Sequence, residues 1–417
     1  MTGIMSLRKN AEKRNNSARQ LQKRRGGDDI QGTLEFGGAW DIPEEADKPA
    51  ALAEADGAAG KVDLSESHWK MLEFFAGSGL VAYGMKGRFS PVWSNDIDGR
   101  KAAVYRANFK SDHFVQADIR NITGASLPCA HLSWASFPCQ DLSLAGNMKG
   151  IYAERSGLVW EWLRVMYEMK ERPKILALEN VTGLLSADGG ANYISLHNAL
   201  AERGYRCGAM EINADLFVPQ SRPRIFVIAV RKDVPVPERM VSGGPNWLHN
   251  NAAQKLGNQL DGWIWWNAEK PAARKAELKD ILEPDAVFDK DGALKLIPER
   301  MMKELNSRDN AVAAGYRRTR REGQRLELRF DGLAGCLRTP SGGSSKQYIV
   351  VRRNGTNHAR LLTARETARL MGAPDSYSLP GSYNDAYFAM GDAVALPVAN
   401  FLSEKFLMPL TEAAYHD

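Results

Sequence analysis

Short apolar runs alternate with stretches of helical periodicity along most of this chain. Residues 70–80, KMLEFFAGSGL, read as a buried strand entering a glycine turn, followed by a helix to about Lys86. Pro91–Ser94 reads as a second strand closed by Asn95 and Asp96, and Asp98–Asn108 as a helix. Strands are expected at Phe114–Ala117, Leu132–Ala135, Ile175–Leu178 and Arg224–Val230, with helices over 156–171 and Tyr193–Arg203. Alternation of this kind, with polar residues just beyond strand ends, predicts an α/β fold with an open, mostly parallel sheet covered by helices. From Lys232 the texture changes to prolines and glycines, then WIWW at 263–266, an Ala/Lys/Glu helix around Pro271–Leu282, and a basic run at Tyr316–Arg329. The expected organisation is a tail over 1–68, a first domain over 69–231, a smaller inserted domain over 232–335, and a return to the first domain over 336–417. Trp263, Trp265 and Trp266 read as packing residues of the insert. The α/β texture returns with a strand at 348–353 and a helix at Thr363–Met371. A final helix is expected from Val394, after a turn at Gly391-Asp392.

A composition of 44% hydrophobic and 25% charged residues among 417 is that of a globular chain, which excludes a wholly disordered or collagen-like one. No run approaches eighteen apolar residues and Met1–Arg25 has no apolar segment, so neither a membrane span nor a signal peptide is expected; the expected location is cytoplasmic. The net charge of +5 sits in the first thirty residues, where eight Lys or Arg face three acids, so the remainder is neutral. The tail then turns acidic and Ala-rich, the composition of a disordered segment. A solvating tail and a phosphate-binding arm both fit it. Any nucleic-acid surface on the body must come from segregating charge onto one face.

Four cysteines and seven histidines show no CxxC or HExxH spacing, so no metal site is expected. Cys129, Cys207 and Cys336 read as structural. Cys139 differs: it follows a strand end, is fixed by Pro138, and precedes the polar Gln140, Asp141 and Ser143, the place where α/β chemistry usually sits. His131 lies at the start of that strand and offers no base. A thiolate here needs a helix N-terminus or an arginine, and Arg222 and Arg224 are candidates. Glu179 directly follows four apolar residues, a setting for a proton donor with a raised pKa or for a helix cap. The turn Phe75-Ala76-Gly77-Ser78-Gly79 lets backbone approach a ligand. Asp96 and Asp118, after the next two strands, suit ribose hydroxyls or an adenine amino group, although Asx turns explain them nearly as well. Together these residues point to a nucleoside-containing cofactor.

Six motifs in order make the chain resemble the bacterial DNA (cytosine-5)-methyltransferases: FFAGSG at 74–79, SFPCQDLS at 136–143, ENV at 179–181, QSRPR at 220–224, LTARETARLMGAP at 362–374 and GDAVALPVA at 391–399. The resemblance implies a Rossmann-like S-adenosyl-methionine-dependent fold with a target-recognition insert, and double-stranded DNA as partner. It places S-adenosyl-L-methionine against Phe75, Ala76, Gly77, Ser78, Gly79, Asp96, Ile97, Asp118, Pro138, Leu158, Asp392 and Ala393. It makes Cys139 the nucleophile toward C6 of a flipped cytosine, Glu179 the N3 proton donor, and Arg222 and Arg224 the cations toward O2 and the thiolate. Gln140, Ser143 and Asn180 would meet or hold the target strand. Arg317, Arg318, Arg320 and Arg321 become candidate groove contacts, with a phosphate grip or a solvated face equally open. Two departures stand out: Leu80 where many members have a second glycine, and Asp392 where an asparagine is usual. A carboxylate at 392 would tolerate a cationic donor and disfavour its carboxylate end. Arg365 and Glu366 read as a structural polar pair. RNA cytosine C5 methylation, or a catalytically silent DNA-binding regulator on the same fold, are the alternative functions. A monomer and a companion restriction endonuclease without stable contact complete the expectations.

Overall fold

Among the described residues seven strands build the central sheet, all but a three-residue edge strand buried through most of their length. They are β1 (Lys70–Phe74), β2 (Ser90–Asp96), β3 (Phe114–Gln116), β4 (Leu132–Ala135), β5 (Ile175–Asn180), β6 (Tyr205–Asn213) and β7 (Pro223–Arg231), in the order β3-β2-β1-β4-β5-β7-β6. All neighbours are parallel except at β7, which runs antiparallel to both β5 and β6. The structure, a computed structural model, describes residues 60–138, 157–288, 292–321, 323–339 and 346–415. The expected tail therefore lies largely outside the described residues, as do Cys139, Gln140 and Ser143.

Strand alternation sends two sets of side chains to opposite faces of the sheet. Met71, Trp134, Ile175 and Phe226 pack on one side, Leu72, Phe74, Ala135 and Leu178 on the other. The first face is covered by α1 (Leu80–Gly84), α2 (Gly99–Asn108), α8 (Ala364–Leu370) and the C-terminal helices α9 (Tyr383–Asp392), α10 (Leu396–Leu402) and α11 (Met408–Tyr415); the second by α3 (Leu158–Glu168), α4 (Gly183–Ser186), α5 (Ala191–Glu202) and α6 (Asn251–Gly257), while α7 (Glu299–Asn306) packs on a smaller sheet. Residues 383–415 form the one described stretch long and apolar enough to cross a membrane by length and composition, and more than half of its most apolar window is buried inside the fold. Asp98 starts α2 by accepting from the Arg100 and Lys101 amides at 2.9 and 3.3 Å, satisfying donors that a helix leaves open.

A second, four-stranded antiparallel sheet has the order β11-β10-β8-β9, from β8 (Val312–Arg320), β9 (Gly323–Arg329), β10 (Gln347–Arg353) and β11 (Thr356–Leu361). The strand at 348–353 thus joins the smaller sheet and not the α/β core, because its register pairs Ile349 with Ala314. Other differences have local causes. The helix expected at Pro271–Leu282 is irregular chain closed by one 3₁₀ turn at Leu278–Ile281. The WIWW segment packs on the edge of the large sheet: Trp263 bridges to Cys207, and the Trp266 indole donates to the Gly208 carbonyl at 3.1 Å. Gly391 and Asp392 end α9 and form no turn; the break comes at 393–395. β6 carried no clear apolar signal, because Arg206, Gly208 and Glu211 interrupt it. Residues 62–67, expected in the tail, are packed: Val62 donates to Asn108 at 2.8 Å and Leu64 is buried. Glu366 pairs with Arg360 at 2.6 Å, both buried, while Arg365 donates to the Tyr377 carbonyl at 2.8 Å. Hence the expected polar pair has a different cation.

Candidate active site

A cavity of about 600 Å3 opens beyond the C-terminal ends of β1, β2, β4 and β5, where an α/β sheet offers loop ends and helix starts to a ligand. Its first wall is the turn after β1. Phe75 holds φ at 57°, a left-handed conformation costly for a bulky aromatic, and this bend keeps its side chain on the cavity. The Gly77 amide donates to Asp96 Oδ2 at 2.9 Å, tying the turn to the end of β2. Gly79 is required for packing: it sits at φ 82°, and a Cβ there would lie 2.5 Å from the Phe109 ring. Gly79 and Ser78 do not line the cavity. The buried Ser78 faces inward, and its carbonyl accepts the Tyr377 hydroxyl. These two expected cofactor residues are the part of the turn that supports it from below.

Asp96 accepts from Gly77 and Asp98 at 2.9 Å each; burial raises its pKa, against the pull of Lys101. Ile97 next to it is 63% exposed on the cavity rim. Asp118 is held by Arg120 at 2.6 Å, whose hydrogen bonds lower its pKa. Pro138, Leu158, Ala76 and Ala393 complete the apolar lining. Asp392 also lines it and makes a 2.6 Å ion pair with Lys101, while Arg100 and Lys101 sit over the Phe388 ring at 3.9 and 5.1 Å. The carboxylate that departs from the family pattern is therefore compensated by an ammonium one helix away. Lys101 was invisible as a site residue in the sequence, since only the folding of α2 against α9 brings the two together.

The far wall is charged. Glu179, 6% exposed, receives Arg224 Nε at 3.0 Å. Burial raises its pKa; Arg224, Arg222 and the Ser136 hydroxyl oppose that shift. Ser136 itself accepts from the Trp134 indole at 2.9 Å. Asn180 donates to the Phe137 carbonyl at 2.9 Å and accepts from the Val181 amide, so it fixes the strand-end loop that runs toward Cys139. Arg222, 2% exposed, donates to the carbonyls of Leu337, Gly391 and Ala393 at 2.7–2.9 Å. It ties its own segment to two others, at Leu337 and at 391–393, while lining the cavity. His131 accepts from the Lys70 amide at 2.8 Å, at the opposite end of β4 from the cavity.

The four candidate arginines of the insert do not form one cluster. Arg317 opposes Leu326 and shares the face that packs on Ala313 and Val350, whereas Arg318 and Arg320 alternate to the other face with Tyr316. Arg318 lies over the Tyr316 ring at 5.0 Å and lines a second cavity of about 350 Å3 with Arg329, Cys336 and Arg338. Arg320 is bound to Glu327 at 2.7 and 2.8 Å, and Arg321 is exposed in the hairpin.

Below the glycine turn, Glu73 is fully buried in β1. Its Oε2 meets the Ser94 hydroxyl at 3.3 Å and its Oε1 has no partner among the described residues. Desolvation pushes its pKa up to about 8. The folded state thus keeps a proton that the unfolded chain releases near pH 4.5, so stability declines as pH rises from there to about 8 and levels off above it. Glu73→Gln, which holds the neutral form, should melt higher than the parent at pH 8 and nearly level with it at pH 4.5, by calorimetry. An equal difference at both pH values would contradict a protonated Glu73.

Residues 69–407 match the family described as C-5 cytosine-specific DNA methylase. The chain is 28% identical over 364 residues to the type II methyltransferase M.PspPI of Psychrobacter sp. (strain TA137), covering 84% of this chain and 82% of that one. It is 27% identical over 347 residues to the type II methyltransferase M.HhaI of Haemophilus parahaemolyticus, covering 80% and 93%. The crystal structure of S. pombe Dnmt2 methyltransferase superposes with a TM-score of 0.52 at 19% identity, over 81% of this chain and 98% of that one, a likeness of fold.

Proposed function

The chain belongs to the C-5 cytosine-specific DNA methylases, enzymes whose methyl donor is S-adenosyl-L-methionine, and from that premise we propose that it methylates C5 of a flipped cytosine in a specific duplex sequence through a covalent bond between Cys139 and C6. One observation supports this most: a nucleoside-sized wall and a buried Glu179–Arg224 pair share a single cavity with Pro138, the residue before Cys139. The residues suit the donor. Phe75 and Ile97 offer apolar surface for a planar base, and Asp96 keeps free lone pairs for ribose hydroxyls after accepting two backbone amides. Asp118 is a strand-end acceptor for an amino group. When bound, S-adenosyl-L-methionine supplies an electrophilic methyl group on a sulfonium.

C5 of cytosine is too poor a nucleophile to take that methyl unaided. In the proposed sequence the Cys139 thiolate bonds to C6 while Glu179 gives its proton to N3, leaving an enamine with electron density at C5. Arg224 holds Glu179 and faces the charge that builds at O2. After C5 is methylated, a water takes the C5 proton, the S–C6 bond breaks and the N3 proton returns to Glu179. The carbon lies inside the stack, so the base must be extruded first. The small sheet, with Arg318 and Arg338 on the side of the second cavity, is our candidate for reading the duplex. One target base needs one such cavity, so a monomer suffices. A companion restriction endonuclease would fit the type II systems for which the relatives are named.

Bisulfite sequencing of a plasmid from cells expressing the chain should show methylation at one short sequence context. Duplex DNA with 5-fluorocytosine at that cytosine should trap a covalent adduct, because fluorine cannot leave as a proton. Methyl transfer to RNA with duplex DNA untouched, or turnover without a trapped adduct, would overturn the proposal.

A further inference from the structure

Two buried cations stand side by side at the charged wall, and among the described residues they have one carboxylate between them. Arg222 satisfies its hydrogen bonds largely with carbonyl oxygens, which carry no net charge. Arg224 gives Nε to Glu179 and Nη1 to the Pro223 carbonyl at 2.9 Å. Asp392 acts on both from a distance but is bound to Lys101. In the mechanism above, Glu179 must carry a proton before N3 receives it, and in that state the pair has no carboxylate partner among the described residues. The sulfur of Cys336 fills that place: Arg222 Nη1 reaches it at 3.3 Å and Arg224 Nη2 at 3.5 Å.

The position of this sulfur is set from several sides. Gln347 brackets Gly335 with two hydrogen bonds of 2.7 Å, the Leu337 amide donates to Gln220 at 3.0 Å, and the Cys336 carbonyl accepts the Tyr316 hydroxyl. Besides the two arginines and Glu179, the titratable or charged groups acting on the cluster are Arg338, Tyr316, Tyr387 and Asp392. A protonated thiol would donate to the Leu337 carbonyl 3.4 Å away, an oxygen Arg222 already occupies. Burial alone would raise this thiol's pKa, but the two guanidiniums outweigh it and hold the pKa below its ordinary value.

We infer that Cys336 is a positioning residue for the methyl transfer, a thiolate that bridges Arg222 and Arg224 and so keeps Arg224 on Glu179 while that carboxyl delivers its proton. Charge-assisted bonds to both guanidiniums would fix the pair more firmly than neutral acceptors do. The inference rests on the cytosine-methylating reading, and it concerns a residue that no motif of the chain contains.

The test replaces Cys336 by serine and by aspartate in the full chain. Packing alone would favour the near-isosteric serine; charge would favour aspartate. We expect Cys336→Ser to lower kcat about tenfold with KM for the donor unchanged, and Cys336→Asp to recover activity to within about threefold of the parent. The rate of adduct formation on 5-fluorocytosine duplex should follow the same order. A serine variant as active as the parent, or a folded aspartate variant less active than serine, overturns the inference. If the aspartate variant does not melt cooperatively, alkylation by iodoacetamide in the Cys139→Ser chain decides, with sites mapped by mass spectrometry. Half-maximal reaction of Cys336 at a pH below that of the exposed Cys129 supports the thiolate. A value at or above it, or no reaction at any pH, overturns it. Parent chain inactive on duplex cytosine would instead refute the functional reading itself.

Discussion

Cys139→Ala is expected to bring methyl transfer to duplex DNA below detection, a loss of at least about 10⁴-fold, while S-adenosyl-L-methionine still binds. Without the sulfur no bond forms at C6, and C5 keeps the low nucleophilicity of an aromatic pyrimidine. The proposed donor cavity is lined by Phe75, Asp96, Ile97, Asp118 and Leu158, which keep their chemistry whatever residue stands at 139. Tritium transfer would measure the loss and calorimetric titration the retained binding. The variant should also fail to form an adduct with 5-fluorocytosine DNA. Residual transfer within tenfold of the parent would remove Cys139 from the nucleophile's role, and loss of donor binding would show a structural role instead.

Glu179→Gln is expected to lower kcat by about 10²–10⁴, the range for losing a positioned acid. The amide can still donate a hydrogen bond to N3 but cannot give up a proton, so charge building in the ring goes unrelieved. DNA affinity should change little, because the side chain is buried beside Arg224. The pH profile adds a second readout. Burial raises the Glu179 pKa, so the parent's kcat should fall as pH rises through that value, and the limb should vanish in the variant. A variant within threefold of the parent, with the limb intact, would assign the proton transfer to another group.

The parallel sheet and its site-bearing ends were legible because the strands before the insert, β6 excepted, are short apolar runs with a polar residue beyond them. Phe75, Asp96, Asp118, Pro138 and Glu179 all sit at such ends and all line one cavity. Failures of the same reasoning share a cause. Gly79 and Ser78 belong to the same motif as Phe75, yet crowding by Phe109 and the Tyr377 contact give them a supporting role. The run of arginines at 317–321 looked like one patch, and strand alternation divided it between two faces. The Pro271–Leu282 segment had helix-forming residues, but most of it is irregular chain.

Local pattern and ordered motifs were enough to determine an α/β methyltransferase chain, its family, its donor and the strand ends around the site. Those features depend on residues close in sequence, where periodicity and turn chemistry act directly. Pairings across long separations belonged to the tertiary structure alone. Lys101 meets Asp392, Arg360 takes Glu366, and Cys336 lies against Arg222 and Arg224. Charge placed in a buried cavity must be balanced by whatever the folded chain brings near it, and no spacing along the sequence encodes which residue that will be.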